Sequence, residues 1–198
     1  MHSILHKVEA VSEARHLVVL GSVDSDWSKI GLSMVEHDFV TSKLAIGELS
    51  IHINQYSRSI FIECLQDEST KSNNLEKARE RGAKLVKQFN EAKIEEVELI
   101  SLSSSDLSLY VAEGMALANY QFLKYFSTSE KKLNSLKAIF VNAESSVIHN
   151  MNAVVSGTLH ARDFVNEPLS YLTAMQFSND MLALGKEVGF KVEVLHKK

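Results

Sequence analysis

The side chains able to do chemistry are scattered through this chain. Histidines stand at 2, 6, 16, 37, 52, 149, 160 and 196. None forms the H-E-x-x-H helix or the Cys/His cluster of a zinc site. Glu36-His37-Asp38 is the densest ligand-like triplet, but adjacent side chains diverge unless the backbone bends sharply. His160 and Asp163 lie three apart and can share a helix face; two ligands do not make a site. Cys64 lies in the strand-like run Ser59-Ile60-Phe61-Ile62-Glu63-Cys64-Leu65 with no histidine nearby. It reads as a buried apolar residue, not a thiolate nucleophile. Ser101 to Ser105 join a strand to a helix, where serines cap and turn, and no G-x-S-x-G elbow exists. The glycines at 21, 31, 47, 82, 114, 157, 185 and 189 form neither nucleotide-binding loop motif. The expectation is no catalytic, metal-binding or cofactor-binding residue within these 198 residues.

Composition narrows the class further. At 45% apolar and 23% charged residues, the chain can build a core. A net charge of −4 and only the doublets Lys131-Lys132 and Lys197-Lys198 leave no basic footprint, so nucleic acid is not expected as a partner. No window approaches the roughly 20 apolar residues of a membrane span. The start, Met1-His2-Ser3-Ile4-Leu5-His6-Lys7, is not that of a signal peptide. With a single cysteine, the expected location is the cytoplasm.

The elements that would position these residues follow from periodicity. His16 to Leu20, ending at Gly21, reads as a buried strand. Leu49/Ile51/Ile53 and Ile60/Ile62 predict a hairpin with these residues inward, whereas 24–41 is ambiguous. Asn73 or Asn74 can cap a helix from Leu75, with Ala78, Gly82, Leu85 and Phe89 inward and Arg81 outward. A strand follows at Val97–Ile100. Asp106 can cap a helix striped by Val111, Met115, Ala118, Phe122 and Phe126. Leu136–Val141 is a strand, and Ser145 or Ser146 opens a long helix with Ile148, Met151, Val155, Leu159 and Arg162 on one side. Pro168 closes it. A helix from Thr173 to Gly189 and a strand at Lys191–Leu195 come last. Alternation of strand and helix predicts a three-layer α/β fold, a mixed, mostly parallel sheet flanked by helices, followed by a long linking helix. The apolar face Phe177, Met181, Leu184 and Val188 should pack on another copy or back onto its own domain.

One segment is more specific. Ala161-Arg162-Asp163-Phe164-Val165-Asn166-Glu167-Pro168-Leu169-Ser170-Tyr171-Leu172-Thr173 resembles the interdomain junction of the leucyl aminopeptidase (cytosol aminopeptidase) family, A-R-[DE]-[LF]-x-N-x-P-x-N-x-[LM]-[TS]-P. It departs from that pattern at Ser170 and Ala174. Upstream, Glu113-Gly114-Met115-Ala116-Leu117-Ala118-Asn119-Tyr120-Gln121-Phe122-Leu123-Lys124-Tyr125 is similar to the family's E-G-x-x-L-x-x-Y-x-F-x-x-Y helix.

The resemblance implies a macro-domain-like N-terminal domain over 1–145, a linking helix over 146–165, and the first helix and strand of a catalytic domain over 166–198. Arg162, Asp163, Asn166 and Pro168 would form the junction. It implies a parent hydrolase, a metalloprotease that releases N-terminal amino acids from peptides with two divalent metals, zinc or manganese. Those ligands would lie downstream, leaving no cofactor in this fragment. The chain would then support assembly, partnered by its own catalytic domain and by other copies in a homo-oligomer. Two alternatives are a macro-type module binding ADP-ribose or another nucleotide, and a DNA-binding or regulatory domain.

Overall fold

The computed structural model describes residues 4–8, 15–65, 70–102, 107–128 and 133–195. The proposed Asp106 cap, serines 103–105, His2, His196 and the two lysine doublets lie outside them. Six strands form one sheet: β1 (Ile4–Lys7), β2 (His16–Gly21), β3 (Ser50–Asn54), β4 (Ser59–Cys64), β5 (Glu96–Ser101) and β6 (Ala138–Val141). Their order is β1-β6-β5-β2-β4-β3. Every neighbouring pair is parallel except β3–β4, which is antiparallel. The expected α/β class with a mixed, mostly parallel sheet is the observed one.

Residues paired across strands point to the same face, so the register assigns the two cores. Leu17 and Val19 of β2, Ile60, Ile62 and Cys64 of β4, and Ile51 and Ile53 of β3 share one face. Trp27 and Ile30 of a 3₁₀ turn (Trp27–Ile30) and Val40 and Leu44 of α1 (Met34–Ala45) close over them. These two elements resolve the ambiguous stretch. Helix α1 begins at a capping box, in which Ser33 accepts from the Glu36 amide and Glu36 accepts from the Ser33 amide. On the other face, Phe61 meets Phe89 of α2 (Lys71–Glu91) edge-on at 4.9 Å. Val97, Leu99, Ile139 and Val141 share that face and are fully buried.

Helix α2 starts four residues before the predicted Leu75. Its cap is Thr70, whose hydroxyl accepts from the Asn73 amide, which places Asn73 and Asn74 inside the helix. Threonine caps nearly as well as asparagine, and several candidates stood in a row. Helix α3 (Ser108–Ala118) stops well short of Phe126. Asn119 ends it: its side chain donates to the Leu136 carbonyl and accepts from Asn90, both at under 3 Å. Asn90 in turn accepts from the Ser135 and Leu136 amides. This buried amide cluster draws the chain off the helix axis, so Phe122 lies beyond α3.

Helices α2 and α3 pack at close range through two glycines. A Cβ on Gly82 would overlap the Val111 carbonyl oxygen, and one on Gly114 would overlap that of Arg79. Glycine lets the two backbones touch, and Arg79 bonds Glu113 across the contact at 2.7 Å. Strand β1 was not foreseen. Part of its free edge is closed by Asn152 of α4 (Ser145–Asn166), which accepts from the Leu5 amide and donates to the Leu5 carbonyl.

The chain divides into two units, Met1–Gly157 and Thr158–Lys198. In the second, α4 ends at Asn166 and Pro168 opens a turn whose carbonyl accepts from Tyr171 and Leu172. Thr173 caps α5 (Ala174–Val188), and Gly189, with φ of 91°, ends it. Phe177 meets Phe164 at 5.2 Å; Met181 and Leu184 are half-buried, whereas Val188 is exposed. The strand expected at Lys191–Leu195 is absent from the sheet. An extended segment becomes a strand only beside a partner, and among the described residues none runs alongside it.

Candidate functional site

The residues first considered for chemistry stay apart or are otherwise engaged. Glu36 is held by the Ser33 amide, which keeps its carboxyl below the usual range, and serves as the capping partner of α1. His37 and Asp38 approach only to 4.0 Å at the surface. Cys64 is buried in the sheet core, and burial, reinforced by neighbouring Glu63, pushes its thiol up to about 11. It is a packing residue, as expected. Among the described residues no group of three or more His, Cys, Asp or Glu could hold a metal ion. The two divalent metals implied by the family resemblance find no such set of ligands among these residues. No helix among the described residues is long and apolar enough to cross a membrane. At the expected junction, Arg162 and Asp163 are half-buried near the end of α4, Asn166 is its exposed last residue, and Pro168 lies exposed in the turn.

Sequence reading passed over two buried acids. Glu98 of β5 is fully buried beside Leu17, with Arg15 at 3.4 Å; the Arg15 guanidinium lies 3.7 Å above the Phe140 ring. Glu63 of β4 points toward the α2 side of the sheet, its side chain 2% exposed. Oε1 accepts from the Ser50 hydroxyl at 2.7 Å, and Oε2 lies 3.4 Å from an Arg81 nitrogen without a hydrogen bond. Burial raises the Glu63 carboxyl; Ser50, Arg81 and Lys84 oppose that shift. An acid at an inward position of an apolar strand was the available signal, and Arg81 was read as facing outward.

Beside Glu63, at the carboxyl end of β4, a cavity of about 120 Å³ opens between Leu49, Cys64, Leu65 and Leu107 and one flank of α2. Ligands of parallel α/β sheets bind at this end of the strands. Drug- and cofactor-sized sites need roughly 300–1,000 Å³. The described residues enclose room for a few heavy atoms, less than a nucleotide fills.

A second polar pair lies at the opposite end of the strands. His16 accepts the Ser59 amide on Nδ1 at 3.0 Å, and His52 stacks on Phe61 at 4.4 Å. Burial lowers both imidazoles, and each His52 charge would further lower His16. An imidazole accepting on Nδ1 must be unprotonated there, which fits a structural role for His16.

Comparison with known proteins gives a consistent direction. No protein-family profile matches the chain. A Mycobacterium sp. (strain KMS) protein named "Probable cytosol aminopeptidase" is 33% identical over 107 residues, 50% of this chain and 21% of that protein. A protein of the same name from Clostridium tetani is 25% identical over 162 residues, 77% of this chain and 34% of that one. Among solved structures, a mutant of tomato leucine aminopeptidase superposes with a TM-score of 0.72 at 11% identity, covering 94% of this chain and 43% of that chain. The bottromycin maturation enzyme BotP in complex with Mn gives 0.64 at 18% identity, over 89% of this chain and 37% of that one. The chain spans only about a fifth to a third of the length of these curated relatives.

Proposed function

Taking this chain as a relative of the cytosol aminopeptidases, we propose that it is the non-catalytic N-terminal portion of a metal-dependent aminopeptidase. Residues 1–145 form its N-terminal domain, 146–165 the linking helix, and 166–198 the beginning of the catalytic domain, with Arg162, Asp163, Asn166 and Pro168 at the junction. The fold match carries this reading: nearly the whole chain superposes on less than half of a leucine aminopeptidase. The ligands of the metals, zinc or manganese, and the peptide-binding residues then belong to the catalytic domain, outside these residues. The chain's contribution is to support assembly, with its own catalytic domain and further copies as partners, in the cytoplasm.

The test is direct. The 198-residue chain, shown to be folded by circular dichroism, is assayed on leucine p-nitroanilide with manganese or zinc. The expected result is no hydrolysis above buffer. Turnover that follows the metal concentration overturns the reading.

A further inference from the structure

The cavity at the carboxyl end of β4 has two unlike walls. One is apolar, built by Leu49 before β3, Leu65 after β4 and Leu107 before α3. The other is a flank of α2 on which Lys77, Arg81 and Lys84 recur three and four residues apart, the spacing of a single helix face. The charges on that flank do not cancel. Lys77 is engaged by Glu80 at 3.1 Å. Arg81 leans on buried Glu63 at 3.4 Å, too loosely for a hydrogen bond to Oε2. Lys84 makes no ion pair among the described residues and acts on Glu63 only at longer range. Among the described residues, one positive charge in excess, that of Lys84, therefore faces an apolar wall across a small space.

We infer that this cavity binds a small monocarboxylate with a short apolar body, its carboxylate on Arg81 and Lys84 and its hydrocarbon against Leu49, Leu65 and Leu107. Each part of that chemistry answers one wall. A cation is repelled by the rim. Inorganic phosphate would satisfy the rim but press unpaired oxygens against leucines, where a buried polar atom without a partner is costly. A nucleotide is too large. A carboxylate matches the planar fork of an arginine, and a few methylenes suit the opposite wall. Glu63 limits affinity by sharing Arg81, so the site is a weak one, and its buried carboxyl keeps the guanidinium in place when the cavity is empty.

The inference is independent of the aminopeptidase reading. Its test is titration calorimetry of the whole chain with sodium butanoate, against sodium chloride at the same ionic strength and against inorganic phosphate. Butanoate is expected to give a saturable heat that chloride lacks and phosphate does not exceed. Lys84→Gln, which removes the charge at an exposed position, should weaken butanoate about tenfold, or about 1.4 kcal/mol. Leu107→Asn should weaken it as well while far-UV dichroism stays unchanged. A butanoate response equal to that of chloride, a larger response to phosphate, or an unaltered affinity in folded Lys84→Gln each overturns the proposal.

Discussion

Residues 4–157 and 158–195 form helices equally well and bury them very differently. In the first region, α2 and α3 have faces at or near zero exposure, and β2 and β4 are buried over all but their first residue. In the second, α5 has the better-defined ends, a threonine cap and a left-handed glycine, yet its one buried residue is Gly185. Local capping chemistry places helix ends; only long-range apolar contact turns a helix into part of a core. The second region carries its own folding signals, and its apolar residues Met175, Val188 and Leu195 are exposed.

The largest expected effect breaks the first region at its tightest point. Gly114→Ala places a methyl group into the Arg79 backbone, which no rotamer change relieves. It should cost about 3 kcal/mol or more in urea unfolding; a loss under 1 kcal/mol would mean the helices can separate freely. Next comes Asn119→Ala, which removes the hydrogen bonds to the Leu136 carbonyl and from the Asn90 amide. The same measurement should show a loss of about 2 kcal/mol.

The buried acid gives a pH signature. Because the folded-state carboxyl of Glu63 is raised, the unfolded chain loses its proton first. Its contribution is fully present below about pH 4.5, the ordinary glutamate value, and is lost as pH rises through the folded value. Relative to the native chain, Glu63→Gln should therefore gain stability from pH 4.5 to pH 8; a parallel pH profile would show that Glu63 stays ionised. His16 and His52 act in the opposite sense. Their lowered values mean stability is present above about pH 6.5 and lost as pH falls below it.

Smaller effects are expected where glycine or apolar side chains meet open space. Gly157→Ala, in α4 with nothing near the added methyl, should stabilise by up to about 1 kcal/mol, the reverse of Gly114→Ala. Met175→Ser and Val188→Ser, at exposed positions of α5, should each change stability by under about 0.5 kcal/mol in thermal unfolding. Larger losses would mean that this helix is covered in solution and would erase the contrast between the two regions.

Much of the fold was legible because its signals are local. Alternation in β3 and β4 sets which residues face inward, and Thr173, Pro168 and Gly189 mark helix ends within a few residues of themselves. The junction Ala161–Thr173 is a local string too, and it pointed to the aminopeptidase relatives that comparison also finds. The cavity was not legible, because its residues come from four separate stretches and Arg81 sat on a face that periodicity assigned to solvent.

By itself, then, the sequence determined the bodies of α2, α4 and α5, the inward faces of β3 and β4 and the apolar character of Cys64, because these depend on neighbours a few bonds away. Only the tertiary structure decided that α3 stops at Asn119, that Gly82 and Gly114 are contact points, that Glu63 lies buried against Arg81, and that residues 191–195 add no strand. Each of those outcomes depends on a group distant in sequence, and hydrogen bonding, steric overlap and desolvation are set by where that group comes to rest.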